Sequence, residues 1–476
     1  MPLSLALLLA AVAAFGLMWA LFVPPFETPD ETSHFAYTES LVERQSLPGD
    51  SHRPEFSTAQ TVADRAADAS RAKDFLPAIS PSWSAGGFRA YQTTARRGLS
   101  TSDGGGINPA DPNPPLFYLY SAVGYVAGSA GNEFDRLYDM RIWSVPLLVI
   151  TTLSAWLLAG EVFGRRRLAQ VVCAGVTGLV PMEAFISASV NPDALLLALS
   201  GLALWLGARV VLRGCRRRDA VALCLLTAAA ILTKATGYAL VPAVLAALVL
   251  GRRRIAGNER EPALPQLGLP IVALLLPVLV WAAITTTLGR SLVNVIQPSA
   301  RAHSFSVGGF LSYLWQFYLP PLPFQTPLHE TAGLPVIDLW LRGVWGDFGW
   351  LSVPLPGLIY GLLTLVTLVV AIPVLGLLAR IRDRERLELL AFFAIALVAL
   401  LALLHVTDYR SLIDTGTALV QGRYLLPLLP LFGLAAALLI HRLPLNRRGP
   451  VGATMIAGLV VLQIVALATV GKAFYT

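Results

Sequence analysis

The segment PDETSH, which begins at Pro29, places two carboxylic acids and an imidazole directly after the first apolar run of the chain. Asp30 and Glu31 are ionised near neutral pH, so either can accept a proton from a hydroxyl group within hydrogen-bond reach. A structural explanation also exists, because Thr28 as N-cap, Pro29 at N1 and Glu31 at N3 would form a capping box. That explanation accounts for Glu31 better than for Asp30, and it does not account for His34.

Other polar side chains stand near the ends of apolar runs along the chain. An ionisable group at a bilayer edge is costly unless it is paired or functional. For Lys234 and Arg423, snorkelling of the side chain toward water remains an alternative. The residues that share this placement are Asn113, Asn191, Asp193, Lys234, Arg410, Gln421 and Arg423, with the aromatic residues Tyr37 and Tyr424.

The elements that must position these residues are membrane helices. The chain has 476 residues, of which 55% are hydrophobic and 14% charged, whereas a soluble domain carries about 25% charged residues. The net charge is +7, and arginines cluster in short breaks between apolar runs, at residues 165–167, 216–218, 252–254, 380–386 and 447–448. This is the positive-inside pattern rather than a nucleic-acid-binding surface. We therefore expect an all-α polytopic membrane protein without a nucleic-acid partner.

The apolar runs and loop charges predict about eleven transmembrane helices. The first run is long enough to span and lacks a basic segment before it, so we expect a retained helix and not a signal peptide. The N-terminus and every arginine cluster are then cytoplasmic, and the polar side chains named above are extracytoplasmic. The predicted spans are 3–23, 141–163, 168–188, 193–212, 219–233, 237–251, 267–289, 353–378, 387–406, 424–441 and 450–470, of which 219–233 and 237–251 are short.

We expect one membrane domain over residues 1–476 with two outer segments. The first extracytoplasmic loop is 24–140, and the second segment is 290–352, which is rich in proline and aromatic residues. The last helix predicted in the first loop is too short to span and should lie along the membrane surface. The juxtamembrane helices predicted in that loop are 29–46, 57–75 and 116–130.

The sequence lacks the usual spacings of metal, nucleotide and serine-hydrolase sites. HExxH, paired CxxC, Walker A, GxGxxG and GxSxG are all absent. We therefore predict no cofactor, and a divalent metal is possible without being indicated. Cys173, Cys215 and Cys224 lie in or beside predicted spans and imply no disulfide framework.

Several motifs together resemble known membrane enzymes. An acidic pair after the first membrane helix, the helix NPPLFYLY and a short helix pair with lysine at its outer turn (TKATG) resemble the GT-C superfamily of integral-membrane glycosyltransferases. Within it, PPFETPDETSH, NPPLFYLY, SVNPDALL, WGDFGWL and QGRYLLPLLP resemble a bacterial family of predicted membrane proteins of unknown function, DUF2142. The resemblance runs from about residue 20 to about residue 440.

The resemblance implies a GT-C-like fold and a specific activity. A sugar would pass from a polyprenyl-phosphate donor to a cell-envelope glycan or glycolipid acceptor on the outer face of the bacterial cytoplasmic membrane. Either Asp30 or Glu31 would be the base, with Asp30 matching the usual position. The chain departs from several relatives at Asn113, where they carry Lys or His. The implied sites are Asp30, Glu31 and His34 for catalysis, Lys234, Arg423 and Arg410 for the donor phosphate, and Asn113, Asn191, Asp193, Tyr37, Gln421 and Tyr424 for substrate.

One carboxylate with separate cations fits sugar transfer better than hydrolysis. A leaving phosphate needs cations and no acid, whereas a glycosidase typically needs two carboxyl groups because an alkoxide leaves. The competing functions are a transporter or flippase of lipid-linked glycans, an envelope polysaccharide polymerase or ligase, and a membrane scaffold. A transporter typically shows paired repeats and interrupted helices at the midplane, and we find neither pattern in the sequence.

Overall fold

The computed structural model describes residues 1–67, 85–96, 98–256, 265–288, 305–325, 336–416, 419 and 421–475. Within these ranges the chain is built almost wholly from helices, and the one sheet is a two-stranded antiparallel hairpin. The predicted all-α class is confirmed.

The first membrane helix is followed by the predicted outer segment, which carries four short helices. Residues 29–46, 57–75 and 116–130 were the ranges predicted for helices here. The second of these is shorter than predicted, and its residues 68–75 lie outside the described ranges. The observed helices are α1 (Leu3–Phe22), α2 (Glu31–Glu43), α3 (Thr58–Ala66), α4 (Ala85–Ala95) and α5 (Leu116–Ala127), with a 3-10 turn at Gly128–Ala130.

The rest of the chain forms the membrane part and the second outer segment. Two 3-10 turns directly precede helices. Ala235–Leu240 follows Lys234, and Gly422–Leu428 carries Arg423 and Tyr424. Residues 289–304 and 326–335 of the second outer segment lie outside the described ranges. The elements are α6 (Glu133–Phe163), α7 (Arg167–Gly178), α8 (Pro181–Ser187), α9 (Pro192–Arg213), α10 (Arg217–Ile231), α11 (Val241–Ala256), α12 (Pro265–Thr287), α13 (Val307–Tyr318), α14 (Ile337–Trp345), β1 (Asp347–Phe348), β2 (Val353–Pro354), α15 (Gly357–Leu378), α16 (Arg384–Thr415), α17 (Leu429–Arg442) and α18 (Leu445–Tyr475).

In the described ranges, nine helical stretches are long and apolar enough to cross a membrane, or ten if the bent pair α7–α8 counts as one span. The chain is thus a multi-pass membrane protein, with nine or ten such stretches against about eleven predicted. The difference comes from two predicted spans, 168–188 and 219–233. Helices α7 and α8 meet at 60°. Helix α10 has 15 residues, about 22 Å, which is shorter than a hydrocarbon core of about 30 Å.

Two helices extend eight or more residues past one end of their predicted apolar spans. Helix α6 begins at Glu133, whereas the predicted span began at residue 141. Helix α16 has 32 residues and reaches Thr415, whereas the prediction placed the end of that span at residue 406. Arg410 therefore lies on a helix and not in a loop. Hydropathy alone misses such extensions because polar residues continue a helix once it leaves the apolar layer.

An aromatic cluster joins the outer segment to the membrane part. Phe26 and Phe35 meet edge to face with ring centroids 5.7 Å apart, and Phe26 also contacts Phe134 of α6 at 6.3 Å. Tyr118 of α5 and Tyr37 of α2 belong to the same buried cluster. Burying each such ring stabilises the structure by roughly 2–3 kcal/mol. The start of α2 is therefore held at a fixed place on the end of α6.

Candidate active site

Asp30 occupies a strained position at the start of α2. Its backbone is left-handed, with φ +61°, and its side chain makes no capping hydrogen bond. Phe26, four residues earlier, is also left-handed at φ +64°. The predicted capping box is wrong, because the helix begins at Glu31 and the hydroxyl of Thr28 has no hydrogen-bond partner among the described residues. Non-glycine residues in this region cost about 1–3 kcal/mol each and persist only where their surroundings enforce them.

Side chains from distant segments enforce this backbone. The indole Nε1 of Trp350 donates to the carbonyl of Phe26 at 3.1 Å. The amide Nδ2 of Asn191 donates to the carbonyl of Pro29 at 3.1 Å, while its Oδ1 accepts from the N–H of Asp193 at 2.9 Å and so caps α9. Asn191 thereby ties the start of α9 to the residue before Asp30.

A buried ion pair anchors the same loop. Arg141 of α6 donates from Nε and Nη2 to the two carboxylate oxygens of Glu31, at 2.8 and 2.5 Å, and both side chains are fully buried. Arg141 also donates to the carbonyls of Val23 at 2.6 Å and Pro24 at 2.9 Å. Glu31 also accepts from the N–H of Val190 at 3.1 Å. Both oxygens of Glu31 are thus occupied by structural bonds.

Asp30 itself pairs with a cation that is distant in the sequence, Arg423. Its Oδ2 accepts from Nη2 of Arg423 at 3.1 Å, and its side chain is 39% exposed, whereas that of Arg423 is 2% exposed. The 3-10 turn that carries Arg423 packs closely on α14, since a Cβ on Gly422 would lie 2.4 Å from the carbonyl oxygen of Trp340. Nε and Nη1 of Arg423 are buried without a hydrogen-bond partner among the described residues. The site therefore has a reachable carboxylate beside a cation with unused donors.

A second ion pair stands beside the first. Nζ of Lys234 donates to Oδ1 of Asp193 at 2.6 Å. Lys234 follows the end of α10, where the chain turns so tightly that a Cβ on Gly237 would lie 2.4 Å from a backbone carbon of α10. The ring of Tyr424 lies 5.0 Å from Nζ of Lys234 and 5.2 Å from Cζ of Arg423, and so contacts both cations. Oδ2 of Asp193 is buried and has no partner among the described residues.

His34 lies one turn into α2 within a small aromatic network. Its Nδ1 is 3.0 Å from the hydroxyl of Tyr118, which also accepts from Nδ2 of Asn113 at 3.1 Å. The ring of Tyr37 stacks on that of Tyr118 with centroids 3.6 Å apart, and its hydroxyl donates to the carbonyl of Asn113 at 3.1 Å. His34, Tyr37 and Asn113 are thus linked through Tyr118, which the sequence did not single out.

Burial and nearby charges together set the protonation states of Asp30 and His34. Burial is the largest single influence on the Asp30 carboxyl and raises its pKa, but the charge and hydrogen bond of Arg423 and the other nearby charges, acting together, leave that pKa below its ordinary value. Burial lowers the pKa of His34 to about 4, and the nearby Lys234 acts in the same direction against the attraction of Asp30. At neutral pH Asp30 is therefore an anion, and His34 is a neutral imidazole.

The pKa of His34 predicts an acid-sensitive stability. The unfolded chain binds a proton on this residue below about pH 6.5, whereas the folded chain resists until about pH 4. Stability should therefore fall by roughly 3 kcal/mol as the pH drops through this window, with the full contribution present above it. We expect His34→Gln to remove that part of the pH dependence in melting experiments at pH 7.5 and pH 4. His52→Gln is the control, because His52 is exposed, and an unchanged pH slope in His34→Gln would contradict the assignment.

The structure does not bring every predicted site residue into this cluster. Arg410 is exposed on α16, with its guanidinium carbon 5.1 Å from the ring of Phe305. Gln421 precedes the turn that carries Arg423, and its Oε1 is buried without a partner among the described residues. Arg141 was missed by the sequence reasoning, because an arginine at the start of a span is usually attributed to snorkelling. The signal available was its position on the predicted extracytoplasmic side, where positive charges are sparse.

The cluster and the arginine clusters lie at opposite ends of the same helices. Helix α9 starts beside Asp193 and ends at Arg213 after 22 residues, about 33 Å. Helix α10 returns from Arg217 toward Lys234, and α17 leads from the turn of Arg423 to Arg442. The described arginine clusters therefore lie at the helix ends opposite the candidate site. The loop charges predicted this arrangement. In the part of the chain that the structure describes, no three His, Cys, Asp or Glu side chains are grouped so as to hold a metal ion.

Comparisons with known proteins identify the family of the chain. None of the curated proteins matches it. Among solved structures, ArnT from Cupriavidus metallidurans bound to undecaprenyl phosphate is similar, with 15% identity and a TM-score of 0.49 over 96% of this chain and 63% of that one. The oligosaccharyltransferase of Archaeoglobus fulgidus in its apo form gives 12% identity and a TM-score of 0.49 over 99% and 56%. The chain thus spans less than two thirds of the length of either protein.

The family model described as predicted membrane protein (DUF2142) matches residues 14–432. This range includes Asp30, Asp193, Lys234 and Arg423 and covers most of the chain. The chain belongs to the DUF2142 family of predicted membrane proteins.

Proposed function

We propose that the chain is a glycosyltransferase that moves a sugar from a polyprenyl-phosphate donor to a cell-envelope glycan or glycolipid acceptor on the extracytoplasmic face of the membrane. The observation that carries this proposal is the pair of Asp30 and Arg423, in which a partly exposed, ionised carboxylate stands 3.1 Å from a buried guanidinium with unused donors. The motif resemblance to the GT-C superfamily supplies the substrate class.

Asp30 is the base in this proposal. The acceptor hydroxyl oxygen attacks the anomeric carbon of the donor sugar, and its proton passes to a carboxylate oxygen of Asp30. The bond between the anomeric carbon and the phosphate oxygen breaks, and the phosphate leaves with the electron pair. Glu31 is excluded from this role in the proposal because its carboxylate is fully buried and paired with Arg141. Glu31 instead positions the loop that ends at Asp30.

Arg423 and Lys234 meet the charge that develops on the leaving phosphate. The buried Nε and Nη1 of Arg423 supply donors that no described residue uses, and hydrogen bonds from a guanidinium to phosphate are among the strong ones in proteins. Lys234 also lies near the Tyr424 ring, with Nζ 5.0 Å from its centroid, and its side chain is 19% exposed. Fixed cations in a partly dry site stabilise charge that appears in the transition state more than they do in water.

The activity is tested by incubating the purified full-length protein with a panel of polyprenyl-phosphate sugars and envelope lipids or glycans. We expect one donor to yield a product heavier than its acceptor by one sugar residue, detected by mass spectrometry, with release of polyprenyl phosphate. Movement of the donor across a vesicle bilayer without a covalent product would instead indicate a flippase. Transfer of whole lipid-linked oligosaccharides, with single sugars rejected, would indicate a polymerase or ligase.

Replacing Arg423 with alanine should impair donor use more than acceptor use. A charge-assisted hydrogen bond is worth about 1.5–3 kcal/mol, so we expect the KM for the donor to rise roughly 10- to 100-fold. Steady-state kinetics with each substrate varied in turn measure the two effects. Arg410→Ala is the comparison, because the sequence assigns Arg410 the same role and the structure leaves it exposed on α16. Equal effects of Arg423→Ala on donor and acceptor would contradict the phosphate role.

A further inference from the structure

A groove lined by arginines lies at the opposite end of the helices from Asp30. The groove has a volume of about 220 Å³ and opens where α7, α17 and α18 meet. Its apolar residues are largely buried, whereas Arg166 and Arg167 are exposed and Arg448 is partly exposed. The lining consists of Arg166, Arg167, Arg448 and His441 with Leu168, Ala169, Val172, Ala437 and Ile440.

Among the described residues, no carboxylate balances the positive charge of this groove. No Asp or Glu lines it, and its three arginines form no ion pair with a carboxylate among the described residues. A groove between α6 and α9, at the same end of the helices, differs in this respect. There Arg213 lies 2.6 Å and Arg209 lies 3.6 Å from carboxylate oxygens of Glu161. The surplus charge is thus a property of the first groove and not of every arginine cluster on this face.

Backbone groups add to the same potential. Helix α7 starts at Arg167, and Arg166 at its N-cap provides no side-chain cap. The first N–H groups of α7 therefore lack a side-chain acceptor, and the positive end of the helix dipole lies at the groove. Arg167 is partly engaged, since it donates to Oε1 of Gln170 at 3.1 Å. Arg166 has no comparable hydrogen bond among the described residues, and Arg448 uses only Nε, toward the carbonyl of Leu443 at 2.8 Å.

The surroundings point to a lipid as the source of a matching anion. The groove lies at the ends of apolar spanning helices, and Leu445 and Val451 on α18, beside Arg448, are 80% and 39% exposed. The groove volume of about 220 Å³ suits a small phosphate headgroup rather than a whole lipid. We propose that this groove binds the phosphate headgroup of an anionic phospholipid, whose acyl chains remain in the bilayer along α18.

Lipid retention by the full-length protein tests this proposal. The purified protein is titrated with phosphatidylglycerol or phosphatidylcholine in detergent and examined by native mass spectrometry. We expect phosphatidylglycerol to be retained at least tenfold more strongly than phosphatidylcholine. Arg166→Gln/Arg448→Gln should lower that retention roughly tenfold. The matched control is Arg217→Gln/Arg218→Gln, which removes the same charge from exposed residues at the same end of the helices and should stay within twofold of wild type.

Several results would overturn the proposal. Equal retention of the two lipids by wild type would do so, as would a loss in the control as large as in the groove variant. Displacement of the lipid by low millimolar glycerol phosphate would indicate a soluble ligand instead. Melting temperature and monodispersity are recorded for each variant. If the double variant does not fold, Arg448→Gln alone should still lower retention about threefold, and unchanged retention would count against the groove.

Discussion

Asp30→Asn is expected to lower the proposed sugar transfer at least 100-fold, because positioned general bases typically contribute 10²- to 10⁴-fold. Asparagine matches aspartate in size and also tolerates the left-handed backbone at this position. The loop and its contacts should therefore persist, and expression, membrane insertion and melting temperature should stay near wild type. The amide, however, cannot accept the proton of the acceptor hydroxyl. Initial rates with saturating donor and acceptor measure the effect.

The chain offers a closely matched control for this substitution. Asp50 lies in the same outer segment, is 41% exposed against 39% for Asp30, and also pairs with an arginine, Arg53, at 3.4 Å. Asp50→Asn removes the same charge from a side chain of similar exposure away from the site, and it should leave the rate within twofold. Full activity of Asp30→Asn would refute the assignment of the base.

Removing Arg141 should have the largest effect on stability. Arg141→Met leaves the carboxylate of Glu31 fully buried without its partner and removes the donors to Val23 and Pro24. Breaking a buried ion pair from one side costs about 3–5 kcal/mol. We expect a clear drop in melting temperature in detergent and a loss of transfer activity, since the loop ending at Asp30 loses its anchor.

The double variant Glu31→Gln/Arg141→Met separates the cost of an unpaired Glu31 charge from the cost of the lost bonds to the loop carbonyls. It leaves no uncompensated charge, so it should be more stable than Arg141→Met alone, while still lacking the bonds to the loop carbonyls. Arg53→Met is the control for loss of an arginine from an exposed pair and should change stability by less than about 1 kcal/mol. If Arg141→Met resembled Arg53→Met, the buried pair would not be the anchor described here.

The sequence predicted the membrane class and much of the cluster, for a physical reason. Loop charges determine which helix ends share a side, and this placed Asp30, Asp193, Lys234 and Arg423 at one boundary before any contact was known. Tyr424 follows Arg423 directly and was predicted as a substrate-binding residue because of its aromatic ring. Which residues pair could not be predicted, because the pairs join positions as distant as 30 and 423 along the chain.

The errors have equally physical causes. Local capping propensity predicted a regular helix start at Thr28, but hydrogen bonds from distant side chains enforce a left-handed Asp30 instead. Glu31 fitted a capping box in sequence, and its true partner, Arg141, lies more than a hundred residues away on α6. The predicted spans placed Arg410 in the loop after residue 406. Helix α16 instead continues past its apolar part to Thr415, and Arg410 is exposed on that helical extension.

The bonds that hold the loop before Asp30 have a practical consequence. Arg141, Asn191 and Trp350, which all bind its carbonyls, come from outside the outer segment in which the loop lies. An excised, water-soluble version of that segment would contain the carboxylate and none of these anchors. Inhibitor screening or structural work on such a fragment would therefore examine a relaxed peptide, and only the intact chain in lipid or detergent presents the geometry on which the proposed chemistry depends.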